Sequence, residues 1–170
     1  MPMRTIDQMA MNYQETGSGP AVVLLHGFPL DSRVWDAQRQ ALSDRFRIIT
    51  PDLRGFGASK SEHAFTIESL ADDVHALLSQ IGALPCVLGG LSMGGYVSLA
   101  YAKKYPTDLR GLMLIDTKAA GDTPEARQGR EKMIALARDS GSKAVADQMM
   151  PKMVAPDAKT NQPQVVRQLQ

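Results

Sequence analysis

The sequence predicts an α/β fold in which a mostly parallel sheet is flanked by helices. Short continuous apolar runs, typical of strands buried on both faces, alternate with segments whose apolar residues recur at helical spacing. Strands that alternate with helices need crossover connections, which place neighbouring strands parallel. Of the 170 residues, 44% are hydrophobic, which is enough apolar surface for a folded core.

Each predicted element rests on a local pattern. The predicted strands are short runs rich in apolar residues, at residues 9–15, 21–25, 47–50, 86–88 and 112–115. The predicted helices lie over residues 32–42, 67–81 and 94–105. Thr66 is a good N-cap and Gly82 follows the last periodic residue, so the second helix is the best defined. Pro51 is expected to stop the third strand.

The composition changes after Asp116, and we expect a second region there. No strand-like run follows, whereas Thr123-Pro124 is a helix start and further helical pieces are expected at 143–150 and 164–169. The sequence therefore predicts a strand-containing core over residues 1–116 and a helical segment over 117–170.

The strongest chemical signal is the pentapeptide Gly90-Leu91-Ser92-Met93-Gly94. It lies between a predicted strand and a predicted helix, and a G-x-S-x-G sequence in that context is a nucleophile elbow. The tight turn holds the Ser92 hydroxyl above the sheet edge, and the N-terminus of the following helix favours developing negative charge. The alternative is that the glycines only allow the helix to pack closely on the strand, in which case the motif has no catalytic role.

Two more segments follow predicted strands, and together with the elbow they resemble the α/β-hydrolase family over about residues 20–116. These are Leu25-His26-Gly27-Phe28-Pro29 and the glycine-rich stretch from Asp52 to Ser59. The resemblance implies an α/β-hydrolase core with a helical cap over 117–170. It also implies an oxyanion hole formed by the backbone N–H groups of Phe28 and Met93.

The glycine-rich stretch is expected to be structural, with Asp52 and Arg54 pairing to hold it. A nucleotide-binding loop is the alternative. Gly55 and Gly57 lack the third glycine of that motif, and the next helix starts too far downstream, so we discount it.

A serine nucleophile implies acyl transfer through an acyl-enzyme, and therefore carboxylic esters, lactones or thioesters as substrates. The resemblance implies neither a cofactor nor a metal. Transfer of the acyl group to peroxide remains an alternative to hydrolysis, and a hydrolase-like scaffold used only for binding is a second alternative.

The triad that the resemblance implies is incomplete in this sequence. Its order is serine, then an acid, then histidine, but His26, His63 and His75 all precede Ser92. We interpret His26 as a structural brace and His75 as a solvated surface residue. The acid is either Asp116 or a residue that the sequence does not reach. We therefore expect an N-terminal portion of a hydrolase, inactive or weakly active by itself.

Partners and location follow from composition. The net charge of +1 shows no basic excess, which argues against nucleic acid as a partner. Neither a secretory signal nor a membrane-spanning run is present, so we expect a cytoplasmic protein without membrane contact. Cys86 is predicted to be a buried hydrophobe. The strand at 112–115 is expected to leave an exposed edge that promotes self-association.

Overall fold

The computed structural model describes residues 2–6, 9–164 and 166. The chain divides into two compact units, Met1–Ala119 and Ala120–Gln170. The first unit contains the sheet, whose strands are β1 (Met3–Ile6), β2 (Met9–Thr16), β3 (Ala21–Leu25), β4 (Arg47–Pro51), β5 (Cys86–Leu91) and β6 (Leu109–Ile115).

The strands form one mixed sheet in the order β1-β2-β4-β3-β5-β6. Four neighbouring strands, β4, β3, β5 and β6, are parallel to one another, whereas β1 and β2 pair in antiparallel fashion at one edge of the sheet. The predicted fold class, an α/β structure with a mostly parallel sheet and flanking helices, is confirmed.

The helices of the first unit connect the parallel strands. A 3₁₀ helix (Ser32–Trp35) leads into α1 (Asp36–Leu42), α2 spans Ile67–Gln80 and α3 spans Met93–Lys104. Asp31 caps the 3₁₀ helix by accepting the N–H of Arg33, and Thr66 caps α2 in a reciprocal capping box with Ser69.

Hydrophobic packing covers both faces of the sheet. Alternate residues of β3 point to opposite faces: Val23 and Leu25 join one cluster, Val22 and Leu24 the other. The larger cluster includes the apolar face of α2, where Leu70, Val74 and Leu77 are fully buried; the smaller one contains Trp35 and Ile48. A strand covered on both faces needs the continuous apolar run that predicted β3.

The predictions differ from the structure at several boundaries. β1 was not predicted, Pro51 is the last residue of β4, and the predicted helix over 32–42 begins as a 3₁₀ turn. β5 continues to Leu91 and β6 begins already at Leu109.

The second unit is helical throughout its described elements. Two helical segments, which together span Pro124–Met153 (α4), join at Gly141, whose φ of 77° and ψ of 178° are not helical; α5 spans Ala158–Asn161. The helix start at Thr123-Pro124 and the helical piece at 143–150 are confirmed. Most of the predicted piece at 164–169 lies outside the described residues. The role of this unit as a cap stays a prediction.

The parallel arrangement determines where chemistry can occur in the first unit. The carboxyl ends of β3, β4, β5 and β6 lie at the same edge of the sheet. The segments that follow them start at His26, Asp52, Ser92 and Asp116, so the sequence motifs converge on that edge.

Candidate active site

Ser92 lies at the junction of β5 and α3 in a backbone conformation that non-glycine residues avoid. Its φ is 50° and its ψ is −109°, and it is the residue that precedes the first turn of α3. Its N–H donates to the carbonyl oxygen of Ile115 at 2.9 Å, and its own carbonyl accepts from Gly95 N–H at 2.9 Å and Thr117 Oγ1 at 2.8 Å. These bonds hold the strained turn in place.

The glycines around Ser92 are required by close backbone approach. A Cβ atom at Gly90 would lie 2.1 Å from the carbonyl oxygen of Gly94. A Cβ atom at Gly94 would lie 2.5 Å from the carbonyl oxygen of Leu25, at the end of β3. The start of α3 can therefore pack directly against the end of the neighbouring strand.

The loop that follows β3 runs beside Ser92. A Cβ atom at Gly27 would lie only 3.3 Å from the Cβ atom of Ser92. The backbone N–H of Phe28, the next residue, is therefore close to the serine. Within the part of the chain that the structure describes, the backbone N–H groups of Phe28 and Met93 donate no hydrogen bond. Met93 is the first residue of α3, where a helix leaves its N–H groups without intrahelical acceptors.

His26 is fully buried, and both of its ring nitrogens are engaged. Leu53 N–H donates to Nε2 at 3.0 Å, so Nε2 is unprotonated and Nδ1 carries the proton that it donates to the carbonyl of Gly27 at 3.0 Å. Burial lowers the pKa of His26; the hydrogen bond to Gly27 and the nearby carboxylates of Asp52 and Asp31 oppose this without reversing it. These contacts agree with the interpretation of His26 as a brace.

Neither of the other two histidines forms a hydrogen bond with Ser92 within the described residues. His63 is exposed in the loop before α2. His75 is only half-exposed, because its Nδ1 lies 2.8 Å from Asp108 and its ring stacks on Tyr105 at 3.9 Å, so the prediction of a solvated surface residue is wrong. Asp108 precedes β6, which places this pair at the sheet edge opposite the one that carries Ser92.

Asp116 directly follows β6 and is exposed, with a φ of 42°. Its neighbour Ile115 accepts the hydrogen bond from Ser92 N–H, so the backbones of residues 92 and 116 are close. Within the described residues, no side chain forms a hydrogen bond with the Ser92 hydroxyl.

Asp52 holds the loop after β4 through hydrogen bonds to three other residues of the first unit. Its carboxylate accepts from Asn12 Nδ2 at 2.8 Å, from Ser32 N–H at 2.9 Å and from Ala58 N–H at 2.8 Å. Gly57 allows this, because a Cβ atom there would lie 2.3 Å from a carboxylate oxygen of Asp52.

Arg54, from the same loop, forms a buried two-point ion pair with Asp73 of α2, with N–O distances of 2.7 and 2.5 Å. Asp73 is therefore a partner of Arg54 that comes from a different element, α2. Sequence reasoning missed Asp73. The signal for it was an acid placed among the buried apolar residues of α2.

Two further observations concern the chain outside the candidate site. Burial raises the pKa of Cys86 to about 11, as expected for an inert buried thiol. Across the described ranges, no helix combines the length and apolar character that crossing a membrane requires.

Comparisons with known proteins agree with this geometry. The chain is 29% identical over 168 residues to the AB hydrolase superfamily protein YisY of Bacillus subtilis, covering 91% of this chain and 63% of that protein. A solved thermophilic esterase from Thermogutta terrifontis superposes with a TM-score of 0.88 at 43% identity, covering 95% of this chain and 60% of that one.

The enol-lactonase from Burkholderia xenovorans superposes with a TM-score of 0.90 at 28% identity, covering 99% of this chain and 65% of the lactonase. The chain thus spans about 60 to 65% of the length of these three proteins. A family profile described as alpha/beta hydrolase fold matches residues 20–156, which is most of the sequence, and the chain therefore belongs to the alpha/beta hydrolase fold family.

Proposed function

We propose that the protein is a serine hydrolase that cleaves carboxylic esters or lactones through an acyl-enzyme on Ser92. The observation that carries the proposal is the strained turn at Ser92 beside two backbone N–H groups, those of Phe28 and Met93, that donate no hydrogen bond within the described residues. An esterase and an enol-lactonase among the similar structures support this substrate class.

Each group has a definite role in the proposed reaction. The Ser92 hydroxyl attacks the carbonyl carbon of the ester and gives its proton to a base. The base then passes this proton to the alcohol oxygen as the C–O bond breaks. The N–H groups of Phe28 and Met93 stabilise the negative charge on the carbonyl oxygen, aided by the N-terminus of α3. Water then releases the acid from Ser92 and restores the hydroxyl.

Within the described residues, no side chain that could act as the base is hydrogen-bonded to the Ser92 hydroxyl. His26 is excluded because both ring nitrogens are engaged in a buried site. Asp116 is a candidate for the acid that orients the base, because its backbone lies close to that of Ser92. We propose the hydrolase activity for the whole protein, since the chain spans only part of the length of its relatives.

Covalent labelling tests the proposal. A fluorophosphonate reacts with an activated serine, so it should label Ser92, and Ser92→Ala should abolish the labelling. Ser79→Ala is the matched control, because Ser79 is an exposed serine at the end of α2. Labelling that persists in Ser92→Ala, or that never occurs in the whole protein, would contradict the proposal, and the second result would favour a binding scaffold.

We further propose that residues 117–170 act as the cap of the hydrolase. Support comes from the helical content of the second unit and from the family resemblance. A cap contributes to substrate choice, so Ile134→Ala, at a side chain that is 51% exposed on α4, should change the relative rates for long and short esters. Unchanged relative rates would argue against the role.

A further inference from the structure

Three phenylalanine rings from two loops, the one after β3 and the one after β4, form a continuous row in the first unit. Phe56 is the central ring: its centroid lies 6.0 Å from that of Phe28 and 6.1 Å from that of Phe65. The planes of Phe28 and Phe56 cross at 89°, an edge-to-face arrangement. We refer to Phe28, Phe56 and Phe65 as the aromatic row.

The central ring is held firmly. Phe56 N–H donates to the carbonyl of Leu53 at 2.9 Å, and its own carbonyl accepts from Ser59 N–H at 2.9 Å. Its ring also lies edge-on to the buried ring of His26, with centroids 5.3 Å apart. The row is therefore anchored to the same core that braces the loop beside Ser92.

The outer ring, Phe65, is seated on a glycine. Gly55 has a φ of 84°, and a Cβ atom there would lie 2.9 Å from the ring carbon Cε1 of Phe65. Any larger residue would move the ring away from this position. The backbone of the loop after β4 thus forms the surface on which Phe65 lies.

Both ends of the row are exposed although the middle is packed. The side chains of Phe28 and Phe65 are 40% and 39% exposed, whereas Phe56 is half-buried against the core. Single exposed apolar residues are ordinary, but two rings joined by a third make a contiguous apolar surface, which commonly marks a binding site.

This surface is continuous with the proposed catalytic site. Phe28 carries one of the two proposed oxyanion donors, and the preceding residue, Gly27, lies next to the Cβ atom of Ser92. The residue that would hold the substrate carbonyl thus also begins the aromatic row, and we expect a substituent of a bound ester to extend along it. Phe28 and Phe56 are edge-to-face, and Phe65 is tilted by 57° to Phe56. A further aromatic ring is a favourable neighbour for the exposed rings of such a row.

We infer that the aromatic row binds an aromatic group of the ester substrate and that Phe65 determines this specificity. The inference rests on the proposed function for its substrate class. It adds a preference for aryl over saturated groups of equal size, because a cyclohexyl group fills the same volume without the edge-to-face interaction of a benzene ring.

Ring signals in nuclear magnetic resonance test the inference without requiring turnover. The protein has four phenylalanines, and the fourth, Phe46, packs in the other hydrophobic cluster, so it serves as an internal reference. With ¹³C-labelled phenylalanine in the Ser92→Ala protein, benzyl acetate or methyl phenylacetate should shift the signals of the aromatic row and leave Phe46 unchanged. Equal shifts at Phe46, or no shift at the row with either ester, would overturn the inference.

Substitution of Phe65 supplies the second arm. Phe65→Leu keeps an apolar side chain over Gly55 and should weaken binding of the aromatic ester about 2- to 10-fold, with little effect on its cyclohexyl counterpart. Met3→Ala is the control, because Met3 is an apolar side chain of similar exposure, 46%. It lies on the edge strand β1, whereas Ser92 follows β5, and three strands lie between β1 and β5. Equal weakening of both esters would show that Phe65 provides apolar contact only, and would overturn the aromatic preference.

The two proposals fail in different ways. If the fluorophosphonate labels Ser92 but neither ester shifts the row, the hydrolase assignment stands and the aromatic inference is wrong. If the row shifts with an aromatic ester but Ser92 never labels in the whole protein, the binding site stands and the serine chemistry is wrong.

Discussion

The Nε2 atom of His26 accepts a hydrogen bond from the backbone N–H of Leu53 at 3.0 Å, which joins the loop after β3 to the loop after β4. Both loops approach the sheet edge that carries Ser92. A neutral imidazole is required for this contact, since a protonated ring has no acceptor nitrogen. The geometry of the candidate site therefore depends on the protonation state of a residue that takes no part in the proposed reaction.

A pH dependence of stability follows from that requirement. The pKa of buried His26 is lowered below the usual value of about 6.5, so between the two values the unfolded chain binds more protons than the folded one. The stability contributed by neutral His26 is complete above about pH 6.5 and is lost as the pH falls towards the folded pKa, by up to about 1.4 kcal/mol per pH unit. Urea unfolding from pH 7.5 to 5.0 measures this loss.

Variants separate His26 from the other titrating groups. His26→Gln should reduce the loss of stability over this pH range, while His63→Gln, at an exposed position, should retain it. If the two variants show the same pH profile as the unsubstituted protein, His26 is not the group responsible.

Two adjacent acids of α2 should differ greatly in their effect on folding. Asp73 is buried with Arg54, and Asp73→Ala should lower the free energy of unfolding by about 3–5 kcal/mol, because the buried guanidinium loses this carboxylate. Asp72 contacts Lys104 at the surface, so Asp72→Ala should have a far smaller effect. Denaturant titration compares them, and equal effects would contradict the distinction between a buried and an exposed pair.

Two glycines should respond in opposite ways to alanine. Gly90→Ala places a methyl group 2.1 Å from the carbonyl oxygen of Gly94, and we expect a loss of roughly 3 kcal/mol or more and a lower Tm. Gly129 lies inside α4 with no atom near its potential Cβ, so Gly129→Ala should stabilise that helix by about 0.5–1 kcal/mol. Thermal unfolding followed by circular dichroism gives both values; a Gly90→Ala protein with an unchanged Tm would count against the tight elbow.

The free edge of β6 should promote association of the 170-residue chain. Among the described strands β6 pairs only with β5, and Leu112, Met113 and Leu114 are 38%, 36% and 48% exposed. Such an edge can pair with another chain, and a lysine opposes that pairing. Size-exclusion chromatography with light scattering should show oligomers that Leu114→Lys reduces and Ile134→Lys, on α4, does not. A stable monomer at all concentrations would refute the prediction.

The elements that the sequence predicts well are those whose structure is determined by the residues within the element itself. The run at 21–25 predicts β3 with both bounds correct, because a central strand is apolar on both faces. β1 was missed because it is an edge strand: Met3, Arg4 and Thr5 are exposed, and only Ile6 is buried. Its formation depends on pairing with β2, which no local pattern of residues 3–6 reveals.

The candidate site divides in the same way. Ser92 and its glycines are contiguous in the chain, so a local motif identifies them. The partners that hold the surrounding loops are far apart in sequence: Asn12 and Asp52 are separated by 40 residues, and Arg54 and Asp73 by 19. Which carboxylate pairs with which donor is determined by the packing of whole elements, so sequence spacing alone does not identify Asp73 as a partner of Arg54.

The strained backbone at position 92 makes serine less stable there than glycine, so selection for stability alone acts against Ser92. A φ of 50° with a ψ of −109° is open to glycine, whereas a residue with a side chain is held there at a cost of about 1–3 kcal/mol. A selection for heat resistance alone would therefore favour Ser92→Gly and remove the proposed nucleophile. Libraries built to make this protein more durable should keep position 92 constant or be screened for activity in every round.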